Sequence, residues 1–269
     1  MKHRWLILGI TGMLGSTAVA DSGESSAAAS GNASAFRWVS NFDELRTLPG
    51  FALTSPSGLV PSAGVVFAGV SGLTDAPGSG KTDGAAAIGA GFGNAHEGIG
   101  GAVTLGLGSI NPEDGGAFNR GTLNLSVGHF NDEALAGVSF GVRGIDLWHA
   151  DDELPNPSFY TAFTQLFPND VAPVIATLGV GNNGFRFLRS TTDNPESALG
   201  VFGSVAAYVA PQVSVIADYT SGVSSLGVSL VPLPDVPLTL QLGAWDIFKY
   251  TEDNDNVSFL GSLTYVYQF

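Results

Sequence analysis

Residues 75–82, DAPGSGKT, close on GSGKT, the ending of a phosphate-cradling loop. Such a loop needs Gly-x-x-x-x-Gly-Lys-Ser/Thr, so that successive backbone N–H groups and the lysine surround the phosphates. Gly80, Lys81 and Thr82 fit, but Asp75 stands where the first glycine belongs, and its carboxylate would face the phosphates. The motif must also open a helix whose N-terminus attracts the anion. The next residues, DGAAAIGAGFG (83–93), read instead as a strand. The segment is therefore expected to be a solvated turn, in which Pro77, the glycines and Lys81 suit a hairpin connection. No nucleotide and no other cofactor is expected. GAGFGNA (89–95) fails as a dinucleotide fingerprint in the same way, because Asn94 occupies the third glycine position.

Acid–base chemistry would have to come from His96, His129 or His149. His96 falls in a tight turn and His129 near a strand end, and neither has a nucleophile close in sequence. HADDE (149–153) could build a carboxylate–His pair or a cation site, yet it reads first as a solvated acidic loop. EDNDN (252–256) offers oxygen ligands without the glycine and distal glutamate of a calcium loop. No catalytic residue and no metal ligand is assigned, and the chain is not expected to be an enzyme.

The elements around these residues explain why. The chain has 269 residues, of which only 13% are charged, with 37 glycines, no cysteine and a mean hydropathy of +0.24. Its formal charge is −14, and more negative still once Lys2 and Arg4 are removed with a leader. Such a field repels nucleic acid. The leader is residues 1–20: a basic start, an apolar stretch from Trp5 to Leu14, and small residues ending at Ala20. That is the pattern of a secretory signal peptide cleaved near Ala20. Residues 21–35 are small and polar, a disordered linker. Residues 36–62 form an N-terminal periplasmic or plug segment. A short helix is expected over 40–49, from Asn41 and Glu44 to Pro49, with SPSGLVPS (55–62) as a connector.

From residue 63 the hydrophobic period is two. Leu123, Leu125 and Val127 alternate with Asn124 and Ser126, as do Val138, Phe140 and Val142 with Ser139 and Arg143. Twelve strands are expected, near 63–72, 85–93, 99–109, 121–130, 135–145, 158–167, 171–188, 199–210, 212–220, 224–232, 236–248 and 257–269. Most are long enough for a tilted strand to cross a bilayer. Long charged connections alternate with tight ones, 221–223 alone being shorter than expected. Short periplasmic turns and longer external loops produce that alternation. The fold class is thus all-β: a transmembrane antiparallel barrel over 63–269, with about twelve strands (10–14). Two aromatic girdles are expected, Phe130, Phe167, Tyr208 and Phe269 at the periplasmic ends and Trp148, Tyr160, Phe187, Tyr219, Trp245 and Tyr250 at the other rim.

The closing run NVSFLGSLTYVYQF places Phe259, Leu263, Tyr265, Tyr267 and Phe269 on one face. It resembles the C-terminal strand of Gram-negative outer-membrane β-barrel proteins. That resemblance implies a bacterial outer-membrane location, contact with membrane lipid and lipopolysaccharide, and recognition by the barrel assembly machinery through the strand ending at Phe269. The runs TLGVGNNGFRF (177–187) and IADYTSGVSSLGVSL (216–230), taken with that strand, are similar to the C-terminal barrel of YjbH-like proteins. That family is associated with exopolysaccharide production and export, which implies glycan passage. This chain has no cysteine to serve as the lipid anchor that some members of the family carry.

Alternation turns Arg143, Asp218, Gln241 and Asn124 inward, together with Thr122, and puts Arg186 near the outer mouth. A charge facing lipid at mid-membrane would cost about 2–4 kcal/mol. Arg143, Asp218, Gln241, Asn124 and Arg186 are the candidate pore-lining residues. The expected function is a narrow or gated passage for hydrophilic solutes, glycan among them, constricted by 36–60. The alternatives are a barrel filled by its own side chains, a non-conducting barrel that binds through acidic outer loops, and, third, a rim hydrolase using His149.

Overall fold

The computed structural model describes residues 47–75, 81–108, 110, 117–149, 156–169, 171–186, 199–250 and 256–269, His149 by its backbone alone. The leader, the linker and most of HADDE, of EDNDN and of the expected 40–49 helix lie outside the described residues. Thr47 to Pro49, the described end of that helix, are not helical.

Twelve antiparallel strands close into one barrel: β1 (Val65–Leu73), β2 (Asp83–Gly93), β3 (Gly100–Gly108), β4 (Arg120–Asn131), β5 (Ala136–His149), β6 (Ser158–Phe167), β7 (Val174–Asn182), β8 (Leu199–Ala210), β9 (Val213–Thr220), β10 (Val223–Leu230), β11 (Leu238–Trp245) and β12 (Ser258–Gln268). Each strand pairs with its sequence neighbours, and β1 closes the wall on β12 from Val65 opposite Gln268 to Leu73 opposite Leu260. Closure leaves no sheet edge, so every strand has a partner on both sides, as a wall in hydrocarbon requires.

The pleat sorts the side chains. On β8, Val201, Val205 and Val209 are exposed outward while Phe202, Ala206 and Tyr208 are buried inward. On β12, Phe259, Leu263, Tyr265 and Tyr267 face out, and Ser258, Leu260, Ser262, Thr264 and Val266 face in. The outside is apolar, and the inside mixes many small and hydroxylic residues with rings such as Phe67, Tyr160, Phe202 and Trp245. Short turns gather at one end, including 94–99, 132–135 and the Pro211–Gln212 turn. Most of the long connections gather at the other. The single short link at the long-loop end is Ser221–Gly222, at φ +58° and +87°. Two residues with positive φ make the twisted hairpin turn that joins adjacent strands without a loop.

Three details differ from expectation. β7 stops at Asn182 rather than 188, because Asn183 adopts φ +45° and a 3-10 turn over Asn183–Phe185 folds Phe185 into the lumen, fully buried. β5 runs on to His149 through register shifts opposite Leu123–Leu125 and Gly121–Thr122, with Gly144 at φ +72° in the first. Tyr160, Tyr208 and Trp245 are not girdle residues: all three point inward and are buried. Trp148 and Phe167 do lie on the outer surface. After Asp75 the chain enters β2 at Asp83, so no helix follows Lys81 and Thr82.

The outward belt makes the first prediction. Val205 is 51% exposed midway along β8. Val205→Arg should destabilise the barrel by about 2–4 kcal/mol, measured by denaturant titration of the protein refolded into lipid vesicles.

Candidate functional site: the occupied lumen

Residues 47–62 lie inside the barrel, and Thr47 and Pro49 to Gly58 are buried throughout. The sequence suits this path. Pro49, Pro56 and Pro61 carry no N–H to satisfy, and most other residues are small or hydroxylic.

The segment enters at the short-turn mouth. Thr239 Oγ1 donates to the Leu48 carbonyl (3.3 Å), and the Tyr208 hydroxyl to the Pro49 carbonyl (3.0 Å). Gly50 N–H donates to Ser229 Oγ (2.7 Å), and its carbonyl accepts from Ser214 Oγ. Phe51, Ala52 and Leu53 then join a buried apolar cluster with Ile175, Ala206, Ile216, Val223, Val231 and Trp245. Fully burying Phe51 or Leu53 contributes about 1.5–3 kcal/mol each. Gln241 Nε2 donates to the Ala52 carbonyl (3.0 Å), while its Oε1 accepts from Ser262 Oγ (3.1 Å).

The densest contact is at Asp218. Its Oδ2 accepts from the N–H groups of Leu53 (3.0 Å), Thr54 (3.2 Å) and Ser55 (3.1 Å). Its Oδ1 accepts from Thr54 Oγ1 and from Thr220 Oγ1. Successive N–H groups converging on one anion form a nest, and hydrogen bonds to an ionised acceptor are about twice as strong as neutral ones. Ser55 Oγ donates to the Gly203 carbonyl (3.1 Å) and sits 2.9 Å from Thr220 Oγ1 at the end of β9.

The chain then crosses the lumen and descends. Thr164 Oγ1 accepts from Gly58 N–H (2.8 Å), and Ser139 Oγ donates to the Ser57 carbonyl (2.6 Å). Here the backbones nearly touch: a Cβ on Gly58 would lie 2.4 Å from the Gly137 carbonyl oxygen, and one on Gly137 2.7 Å from that of Gly58. Only glycine fits on both sides. Ser62 Oγ accepts from Ala95 N–H (3.0 Å) in the β2–β3 turn, and Ala63 N–H donates to the Gly93 carbonyl. Both ends of the segment are thus at the short-turn mouth.

Of the five candidate lining residues, Asp218 and Gln241 hold the plug. Asn124 faces inward and its Oδ1 accepts from Gly144 N–H (2.8 Å), fixing the β5 bulge. Arg143 is buried near the outer mouth, its guanidinium carbon 5.3 Å from the centre of the Phe185 ring. Tyr160 and Phe202 complete that cluster. Arg186 Nη2 donates to Asn183 Oδ1 (3.3 Å) at the rim. The structure brings Asp218 and Gln241 together around one strand of plug and leaves the other three in the wall or at the rim.

Of the histidines whose side chains are described, neither His96 nor His129 meets a serine or threonine hydroxyl. His96 Nδ1 is 2.9 Å from Asp132 Oδ1 on the exposed turns, and His129 Nδ1 is 2.7 Å from the Gly98 carbonyl. Among the described residues no group of three His, Asp or Glu side chains could hold a metal ion. His149's side chain and the rest of HADDE lie outside them.

No family model and no curated protein sequence matches the chain. Solved structures similar to it include the outer membrane phospholipase of Salmonella typhi as a dimer with bound calcium, at 12% identity and TM-score 0.45, covering 76% of this chain and 90% of that one. Outer membrane phospholipase A from Escherichia coli is similar at 13% identity and TM-score 0.45, covering 78% and 98%. At these values the activity of those proteins does not transfer to this chain.

Removing the Asp218 carboxylate would leave three buried N–H donors without their acceptor. Asp218→Ala should speed amide exchange at Leu53, Thr54 and Ser55 by at least about tenfold, since each orphaned donor costs roughly 1–3 kcal/mol, while the β3 amides stay protected. Hydrogen exchange of the refolded barrel checks this.

Proposed function

We propose that this chain is an outer-membrane passage for hydrophilic solutes, held shut in the state described by its own residues 47–62. One observation carries the reading: what fills the lumen is a separate segment, seated by hydrogen bonds from a wall that carries many hydroxyls beside its rings. Ser71, Ser139, Thr177, Ser204, Ser225 and Thr264 are buried on that wall. With the segment gone they would face water, which hydroxyls accept readily. A twelve-stranded barrel is wider than the eight-stranded size that wall side chains alone fill.

The plug's path supports a gate. Because it enters and leaves by one mouth, it can be drawn out without threading through the wall or breaking a strand pair. The solute class is set by the wall: uncharged polar molecules and small ions, with glycan added only by the YjbH-like resemblance. In this reading the leader ends near Ala20, and Phe269, 81% exposed and stacked on Tyr267, offers its ring to the assembly machinery. No catalysis is assigned.

A second reading has its own observation. Phe51 and Leu53 are as buried as any core residue, which suits a permanent filling and a non-conducting structural barrel.

The two readings separate by a lock. The chain has no cysteine, and Ser57 Oγ and Thr164 Oγ1 are 3.3 Å apart. Ser57→Cys with Thr164→Cys should give a disulfide that abolishes conductance in planar bilayers, with channel openings restored by reductant. Silence in both oxidised and reduced forms of the folded protein would favour the permanent filling.

A further inference from the structure

We propose that Asp218 also sets the charge selectivity of the opened passage, which admits cations in preference to anions. The inference rests on the passage reading and adds which solutes it favours.

The geometry around Asp218 is that of an oxygen site whose donors are on loan. Ser204 on β8 and Ser225 on β10 lie directly opposite Asp218 on its two neighbouring strands. Residues so paired have Cβ atoms about 4.5–5.5 Å apart. Both serine hydroxyls are buried, at 3% and 2% exposure, and neither has a hydrogen-bond partner among the described residues. Thr177 and Thr164 continue the row on β7 and β6, their hydroxyls 2.8 Å apart. The belt therefore carries one negative charge flanked by hydroxyl oxygens.

In the closed state the nest of Leu53, Thr54 and Ser55 satisfies that charge. Withdrawal of the plug removes all three donors together with Thr54 Oγ1. The carboxylate then faces water and mobile cations beside the more distant Arg143, and hydroxyl and carboxylate oxygens are the ligands that hard monovalent cations accept. Low-dielectric walls strengthen its field along the passage.

The other interior charges do not reverse the sign. The charged side chains buried in the described barrel are Asp83, Asp218, Asp246 and Arg143. Asp83 opens β2 and Asp246 follows β11, both at the outer end. The guanidiniums are Arg143 on β5, which lies over Phe185 and within electrostatic reach of Asp218, Arg120 on β4 in phase with inward Thr122 and Asn124, and Arg186 at the rim. With Asp146, which pairs with inward Thr122, four carboxylates stand against three guanidiniums among the described residues, and the route stays net negative through Asp218.

The test uses the full chain opened by two independent routes: Gly137→Val, whose side chain collides with the Gly58 backbone, and Gly91→Val, whose Cβ would lie 2.1 Å from the Ser62 carbonyl oxygen. Reversal potentials are measured across a potassium chloride gradient in a planar bilayer. Potassium should permeate several-fold better than chloride in both variants. Adding Asp218→Asn should bring the ratio close to unity, and adding Asp218→Glu should restore it. Conductance with a ratio that Asp218→Asn leaves unchanged, or one that favours chloride, overturns the inference while the passage reading stands. Absence of conductance in both variants, with the barrel folded by circular dichroism, overturns the passage reading and the selectivity with it.

Discussion

A carboxylate inside a membrane barrel cannot be left alone. Asp218 faces away from lipid, where a charge would be costly, but the lumen it enters is closed to bulk water, and an ion so placed must be paired or hydrogen-bonded. The chain meets the need with its own N-terminal segment, whose Leu53, Thr54 and Ser55 N–H groups turn together onto one oxygen. Much of the remaining structure serves to seat that segment. Gly58 and Gly137 are bare so that two backbones can pass. Ser214, Ser229 and Gln241 point inward to meet its peptide groups. Phe51 and Leu53 use the lumen as a core.

The wall and its filling are complementary solutions to one problem of volume. Twelve strands enclose more space than serine, glycine and alanine side chains can occupy. Here the wall supplies part of the apolar volume through Phe67, Tyr160, Phe202, Ile216 and Trp245, and the rest comes from Phe51 and Leu53 on the plug and from Phe185, which a 3-10 turn lowers from the outer rim. Segments that are not strands thus enter the lumen from both ends, while the strands keep hydroxyls such as Ser139, Ser204 and Ser225 on the inner face. An arrangement of that kind separates what holds the barrel together from what closes it.

Much of the wall was legible in the sequence, because period two is enforced by the pleat and by two unlike surroundings. Every wall residue expected inside, Arg143, Asp218, Gln241 and Asn124, is inside. The strand expected after DAPGSGKT is present as β2. Aromatic residues were less legible, since a lipid–water interface and a plugged lumen both accept a ring with a polar tip. Tyr208 could still have been placed by parity, because it is in phase with Ser204 and Ala206 and out of phase with Val205 and Val209. The early end of β7 hid in a run of glycines and asparagines that carries no alternation to lose. The plug's partners were beyond local pattern: Asp218 lies 163 to 165 residues from the groups it binds. A stretch with three prolines and few large side chains was the available sign, and it reads equally as a connector.

Residues 47–62 sit in the lumen with their tip at the outer end of β9. The most direct test is a cross-link made in the membrane-embedded protein. Ser55 Oγ and Thr220 Oγ1 are 2.9 Å apart although 165 residues separate them, and there is no native cysteine to interfere. In Ser55→Cys with Thr220→Cys, a plug seated in this way predicts rapid, near-complete disulfide formation, seen as a mobility shift that reductant reverses. If both thiols stay free under oxidant and react with a bulky membrane-impermeant reagent, the segment lies outside the barrel and this seating is contradicted.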